Sequence, residues 1–486
     1  MPARAPDGRT VATSDSEFLR RLAAQGAMIE RLASDSRRCA PGVAFFAYPG
    51  ETADGRRHIG DALGRGAAAV LWEENDFVWR DEWRVPNASV RGLKQRAGAI
   101  AAEFYGRPSE SLWICGVTGT NGKTSCSHWI SAALARKRIP TKLIGTLGYG
   151  SPGSLHPVDN TTPDAIEIQA LLREFAKESA EAVVMEVSSH GLVQGRLNGV
   201  AFDCALFTNL SHDHLDYHGT MAAYAEAKAR LFDAPGLAAA VVNLDDPVGA
   251  NFAARAGKRG ARTIGYGFDG VPAAAVDDYL PAALLPADHA RQLGRFNVAN
   301  VLGVLGCLIA YGIGRDEALA LVADLPPVPG RMERVAERPL VVVDYAHTPD
   351  ALEKVLQTLR PLAQARGGRL AVLFGAGGDR DPAKRPLMGT AAARFADRAL
   401  VTSDNPRSED PLAIISQIEK GMPGGHDVEP DRARAIERLV GEAAPEDVLL
   451  IAGKGHESYQ EIAGRRLPFS DADTARAAVA KRGGPR

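Results

Sequence analysis

The sequence predicts an α/β protein of three domains, and three observations carry that expectation. Its 486 residues suffice for about three domains at roughly 150 residues each. Short apolar runs alternate with amphipathic stretches, the pattern of buried parallel strands joined by helices. One such run leads straight into a glycine-rich turn and then a helix-forming stretch, which is how α/β sheets hold phosphate.

The first block, 1–110, has apolar segments at 43–48 and 67–72, and residues 104–108 (FYGRP) mark its end with a turn signal. The second, 111–330, opens on a buried-strand run at 112–117, followed by an amphipathic helix expected over 125–138. Further buried strands are expected at 182–187, 204–208 and 239–243, and the Gly- and Pro-rich stretch 312–329 closes the block. Together these predict a doubly wound sheet. The third block, 331–486, repeats the pattern with strands at 340–343, 370–374, 398–402 and 448–451, a second nucleotide-fold-like α/β domain.

Composition narrows the function classes. Apolar residues make up 45% and charged residues 24%, which is ordinary for a globular protein. A formal net charge of −2 provides no bulk basic field for nucleic acid, so phosphate must be bound by local geometry. The N-terminal residues lack the apolar core of a secretory signal, and no stretch is long and apolar enough for a membrane helix. Five scattered cysteines without a C-x-x-C pair predict reduced thiols. A cytoplasmic protein with no nucleic-acid or membrane partner is expected, and a monomer.

Gly119-Thr120-Asn121-Gly122-Lys123-Thr124, with Ser125 next, is a candidate phosphate loop. Its glycines let backbone N–H groups face phosphate oxygens, Lys123 can reach the terminal phosphates, and the Thr124 hydroxyl can ligate Mg2+. The general pattern wants another glycine where Val117 stands. A strand-to-helix turn with no ligand is the bland alternative.

The form GTNGKT resembles the phosphate loop of the Mur ligase family. Eleven further segments carry the resemblance along nearly the whole chain: 34–37 (SDSR), 53–56 (ADGR), 160–163 (NTTP), 185–192 (MEVSSHGL), 209–218 (NLSHDHLDYH), 227–228 (AK), 294–297 (GRFN), 330–333 (GRME), 344–349 (DYAHTP), 404–407 (DNPR) and 453–457 (GKGHE). The resemblance implies a UDP-binding first domain, a central ATPase domain and a C-terminal Rossmann-like domain that takes the amino acid.

It also implies roles. Glu186, His214 and Lys228 match metal and catalytic positions beside Lys123 and Thr124. Read without the family, Glu186 at a strand end is more often a helix cap, the His-rich stretch suggests zinc, and Lys228 is a surface lysine. The family uses the position of His214 for Mg2+ and carboxylates the lysine matching Lys228 with CO2. A carbamate there supplies anionic oxygens where an ammonium would repel the metal. Asn297, Arg331 and His347 match positions around ATP, and Asp344 the ribose or the hinge. Ser34, Ser36, Glu51, Thr52 and Ala53 match the UDP end. Asn160, Thr161, Thr162, Ser188, Gln194 and Arg196 match the MurNAc-dipeptide, with Arg196 suited to a carboxylate. Arg380, Asp404, Asn405, Pro406, Arg407, Gly453 and Glu457 match a diaminopimelate site, where a guanidinium pairs with the second carboxylate that lysine lacks.

The implied reaction is addition of meso-2,6-diaminopimelate to the D-Glu of UDP-MurNAc-L-Ala-D-Glu through an acyl phosphate made with ATP and Mg2+. Two other readings compete: a folylpolyglutamate synthetase, against which the first domain and the DNPR tetrad speak, and a non-catalytic nucleotide switch, against which the intact Lys123, Glu186, His214 and Lys228 speak.

Overall fold

The computed structural model describes residues 15–51, 53–268, 276–286 and 294–482. Two compact units divide the chain, one of residues 1–116, 138–203 and 234–237, the other of 117–137, 204–233 and 238–486.

The first unit contains a parallel sheet with strand order Arg31–Ala33, Val43–Ala47, Ala69–Glu73, Asn87–Val90. Alternate residues face opposite ways along a strand. Ala44, Phe46, Ala69 and Leu71 therefore enter one core cluster, and Val43, Phe45, Ala47 and Val70 another. Both faces are covered, as parallel sheets require. The same unit holds Ala182–Glu186 parallel to Thr141–Gly145, which continues antiparallel into Gly148–Ser151 and Ser154–His156. That antiparallel hairpin lies outside the strands expected from the sequence. Its strands are short, one Gly-rich (GYGS) and one mostly polar (SLH), so their sequence carries no apolar run.

In the second unit, Cys204–Phe207, Ala239–Asn243, Arg262–Gly267 and Asp278–Pro281 pair in parallel in that order. The expected helix at 125–138 spans Lys123–Arg136 instead. Gly122, at φ 88°, turns the chain directly into the first helical residue. Further along, a six-stranded sheet has the order Glu333–Glu337, Leu340–Asp344, Val448–Ala452, Leu370–Phe374, Arg398–Val401, Asp427–Val428. All of its pairs are parallel except the first. Leu340, Val342, Val372, Phe374 and Leu450 pack on one face, and Val341, Val343, Leu373, Leu449 and Ile451 on the other.

This topology positions the motifs. Parallel α/β sheets bind ligands beyond the carboxyl ends of their strands. Residues 345–349, 375–381, 402–407 and 453–457 each follow such an end. All five cysteines are free and buried, as expected. No helix among the described residues is long and apolar enough to cross a membrane.

Candidate active site

The glycine loop follows the strand Trp113–Thr118. Gly119 has φ 149° and Gly122 φ 88°. A side chain at 119 would run into Thr208 Oγ1, and one at 122 would lie 2.5 Å from Asn300 Oδ1. Only glycine meets both demands. The loop rests on the residues after Cys204–Phe207. Thr120 N donates to Asn209 O (2.8 Å), Asn121 N to Asn209 Oδ1 (3.0 Å), and Thr208 Oγ1 to Asn121 O (2.6 Å).

Two lysine amines meet one carbonyl. Lys123 Nζ donates to Gly119 O (2.8 Å) and Thr120 O (2.9 Å), and Lys228 Nζ donates to the same Gly119 O (2.8 Å). Lys228, on the helix Met221–Ala229, is 1% exposed and lies 4.4 Å from the Tyr224 ring. Burial, reinforced by the Lys123 charge, pushes its amine well below the usual lysine value. Thr124 Oγ1 accepts from Arg331 (2.9 Å), whose guanidinium stacks 4.3 Å over Tyr345. Ser125 is buried in the first turn of the helix, and Asn297 accepts from Asn300 Nδ2 (3.3 Å).

The histidines of 212–218 separate. His212 Nε2 lies 3.2 Å from Asp381 Oδ2, His214 Nε2 lies 3.4 Å from Asp213 Oδ2, and the His218 ring packs on Tyr217 and Tyr224. Among the described residues they form no cluster of three ligands close enough to share one metal ion. Burial raises the Asp213 carboxyl, yet the charges of His214, His347, Lys384 and Lys123 hold it below the usual carboxylate range. His347 is half-buried, with Nδ1 2.9 Å from Tyr345 O. Burial, then Lys384, push it down to about 4. Asp344 accepts from Met332 N (2.7 Å) and Ala346 N (2.8 Å), which ties it to the backbone before and after its strand.

At 404–407 side chains form the surface. Asn405 Nδ2 donates to Glu457 Oε2 (2.7 Å). Lys454, wholly buried, donates to Asn405 Oδ1 (2.9 Å) and Glu457 Oε2 (2.8 Å). Asp404 Oδ1 accepts from Asn405 N (2.7 Å), and Pro406 is buried. Arg407, at φ 53°, donates from NH1 to Gly378 O (2.6 Å) and lies 3.7 Å from Glu461 Oε2. Arg380 is exposed nearby, and a side chain at Gly377 would approach both arginines. Beneath, the fully buried Arg432–Asp471 pair (2.7 Å) also donates to Ser403 O (3.1 Å) and Ala452 O (2.9 Å). It thereby ties the strand end before Asp404 to the one before Gly453.

In the first unit, Glu186 is 1% exposed, and each carboxylate oxygen is held by Thr146, from its N–H (2.9 Å) and its hydroxyl (3.0 Å). Thr146 Oγ1 is 3.0 Å from Thr161 Oγ1. Thr162 Oγ1 donates to Glu186 O (2.9 Å) and accepts from Ser188 N (3.0 Å). Ser188 caps the helix Ser189–Val193. Arg196 donates to Thr162 O (2.7 Å) and Gln194 Oε1 (2.9 Å). Asn160 is exposed. Ser34 lies beside the half-buried Tyr48, Ser36 opens a one-turn helix capped by Asp35, Glu51 pairs with Lys94, and Ala53 O accepts from Gly50 N (2.7 Å). Thr52 lies outside the described residues.

Sequence reasoning assigned no role to Thr146, Tyr224, Lys384, Arg432 or Lys454. Lys454 lay inside a quoted motif, but its burial, the only sign of its role, is not a sequence property.

Three comparisons bear on this geometry. Family models match along the chain: "Mur ligase family, catalytic domain" over 28–105, "Mur ligase middle domain" over 117–308 and "Mur ligase, glutamate ligase domain" over 330–455. A protein of Chromobacterium violaceum, named UDP-N-acetylmuramoyl-L-alanyl-D-glutamate--2,6-diaminopimelate ligase, is 48% identical over 474 residues, covering 93% of this chain and 95% of that protein. A solved structure of a ligase of the same name is 35% identical with a TM-score of 0.63, covering 94% of this chain and 96% of its own. A bifunctional folylpolyglutamate synthase/dihydrofolate synthase from Yersinia pestis shares the fold at 21% identity and a TM-score of 0.57, covering 75% of this chain and 91% of its own.

Proposed function

The chain belongs to the Mur ligase family, and from that premise we propose that it joins meso-2,6-diaminopimelate to the D-Glu carboxylate of UDP-MurNAc-L-Ala-D-Glu, using ATP through an acyl phosphate. The observation that carries this reading is the pair of amines, Lys123 and Lys228, on the Gly119 carbonyl. Two ammonium ions on one oxygen repel each other. Burial, with the Lys123 charge beside it, pushes the Lys228 amine toward its neutral form.

A neutral buried amine is the form that adds CO2. Its lone pair bonds to the carbon, a proton leaves to solvent, and a carbamate results. That anion draws the Lys123 ammonium forward, off the Gly119 carbonyl and toward phosphate. Thr124, Glu186, His214 and carbamylated Lys228 are the residues that would hold Mg2+, and hydroxyl and carboxylate oxygens suit such a hard cation. When bound, the metal neutralises charge on the phosphate oxygens as the γ-phosphoryl group moves. Lys123 and Arg331 bind those oxygens, and Arg196 orients the attacking D-Glu carboxylate.

For the incoming amino acid, Arg407 and Arg380 offer guanidinium groups to the far carboxylate, while Asp404 and Glu457 take an ammonium. The first domain takes the UDP end. On this reading the protein works as a monomer in the cytoplasm.

Phosphate release is to be measured with ATP, Mg2+, the UDP-MurNAc-dipeptide and either diaminopimelate or L-lysine. Turnover is expected with diaminopimelate alone, and equal or faster release with lysine would sink the assignment. Lys228→Ala should lower kcat at least about a hundredfold.

A further inference from the structure

Between Gly453 and Gly455 stands a lysine that solvent does not reach. Lys454 is 0% exposed, and its Nζ donates to Asn405 Oδ1 (2.9 Å) and Glu457 Oε2 (2.8 Å), with the Tyr459 ring 5.6 Å away. A buried ion pair adds little net stability over apolar residues of the same volume. A chain that keeps one gains something else, and the hydrogen bonds around it show what.

Two donors converge on one oxygen of Glu457. Asn405 Nδ2 reaches the same Oε2 (2.7 Å), and Asn405 is itself fixed, since its Oδ1 accepts from Glu461 N (2.9 Å) as well as from Lys454. Both polar atoms of the Asn405 side chain are thus taken by the protein. Glu457 Oε1, by contrast, accepts no hydrogen bond among the described residues, and the side chain is 18% exposed, so Oε1 is the oxygen left to meet a ligand. A glutamate carboxylate turns easily about its last bond, where the torsional wells are broad. Pinning Oε2 removes that freedom and fixes where Oε1 points. Asp404, the other acid of this pocket, needs no such clamp. It is shorter, its Oδ1 accepts from Asn405 N (2.7 Å), and its Oδ2 sits where a side chain on Gly453 would come within 2.4 Å.

We propose that Lys454 is a positioning residue for amino-acid recognition, which holds Glu457 Oε2 so that Oε1 meets the ammonium group at the far end of the diamino acid. The inference rests on the ligase reading above. It names the group behind the preference for a second amine, as Arg407 is the group behind the preference for a second carboxylate.

The test is a double-mutant cycle of Lys454→Met and Glu457→Gln. It is read as kcat/KM with diaminopimelate and with L-2-aminopimelate, which keeps both carboxylates and the reacting amine but lacks the far one. Wild type should prefer diaminopimelate about a hundredfold. Each single variant should cut that preference to about tenfold or less through the KM for diaminopimelate, with the KM for ATP within about threefold of wild type. Adding Lys454→Met to Glu457→Gln should cost nothing further, because a residue that works through another has no effect once the other is gone. A Lys454→Met loss that is equal for the two acids, or that multiplies with the Glu457→Gln loss, makes Lys454 scaffold and overturns the proposal. So does an unchanged preference. Should the Met variant not fold, Lys454→Gln takes its place in the cycle, and failure of both to fold also makes Lys454 scaffold. Melting shifts with MgADP and either acid separate this inference from the ligase reading. Wild type that turns over neither acid sinks the ligase reading. A diaminopimelate shift that Lys454→Met abolishes would then still support the clamp, and equal shifts in both proteins would overturn it.

Discussion

On the proposed reading, the backbone meets the ligand at residues 119–124, whereas side chains meet it at 404–407. The loop owes its shape to two glycines and to hydrogen bonds from one neighbouring segment, Thr208–Asn209. The pocket draws on Asn405, Lys454, Glu457 and Glu461, with Arg432 and Asp471 beneath. Phosphate is the same in every nucleotide, so a fixed turn of N–H groups can bind it. An amino acid must be told from its analogues, which takes charges held in place by other charges.

The comparison can be broken most sharply from below the pocket. Arg432→Met leaves Asp471 buried and uncompensated, and the protein should lose about 3–5 kcal/mol. Chemical denaturation measures this. The double variant Arg432→Met, Asp471→Leu should recover most of the loss, and no recovery would mean that the carbonyl contacts matter more than the charge pair. Next in size, Arg407→Leu should lower kcat/KM for diaminopimelate about a hundredfold and leave that for lysine unchanged or higher. A parallel loss for both substrates would make Arg407 structural.

On the phosphate side, His347 sharpens the contrast through pH. Its folded value of about 4 lies below the ordinary 6.5, so the fold favours the neutral ring. The stability this gives is complete above pH 6.5 and is lost as pH falls toward 4. Between pH 7 and 5 the wild type should lose roughly 2 kcal/mol more than His347→Gln, at 1.36 kcal/mol per pH unit. Equal losses in urea titrations at the two pH values would show that the ring is not held neutral. The smallest effect is expected at Thr146→Val, which removes a hydroxyl donor from Glu186. Mg2+ affinity, read from the metal dependence of turnover, should weaken about tenfold. An unchanged metal dependence would show that Glu186 does not need that hydroxyl.

Much of this was legible in the sequence. The strands at 182–186, 204–207, 239–243 and 370–374 were expected within a residue or two, because a strand buried on both faces is a continuous apolar run. The hairpin Gly148–Ser151 and Ser154–His156 was not, since its glycines and polar residues carry no period. Of the candidate site, the loop residues follow from their own motif, and the tetrad Asp404–Arg407 from the family resemblance. Lys454 and Arg432 were not, because a lysine or arginine in a sequence reads as a solvated surface residue. Likewise His212, counted among the zinc candidates, turned out to pair with Asp381, a partner 169 positions away.

What the sequence determined by itself is local: where strands begin, where only glycine can turn the chain, and which short segments resemble those of the Mur ligase family. Those properties depend on neighbours a few bonds apart. Tertiary structure alone decided the charge states. The Lys228 amine is pushed well below the usual lysine value because burial strips its water and Lys123 shares its carbonyl. The cost of a charge is set by the dielectric and the charges around it, and these exist only once distant segments have packed.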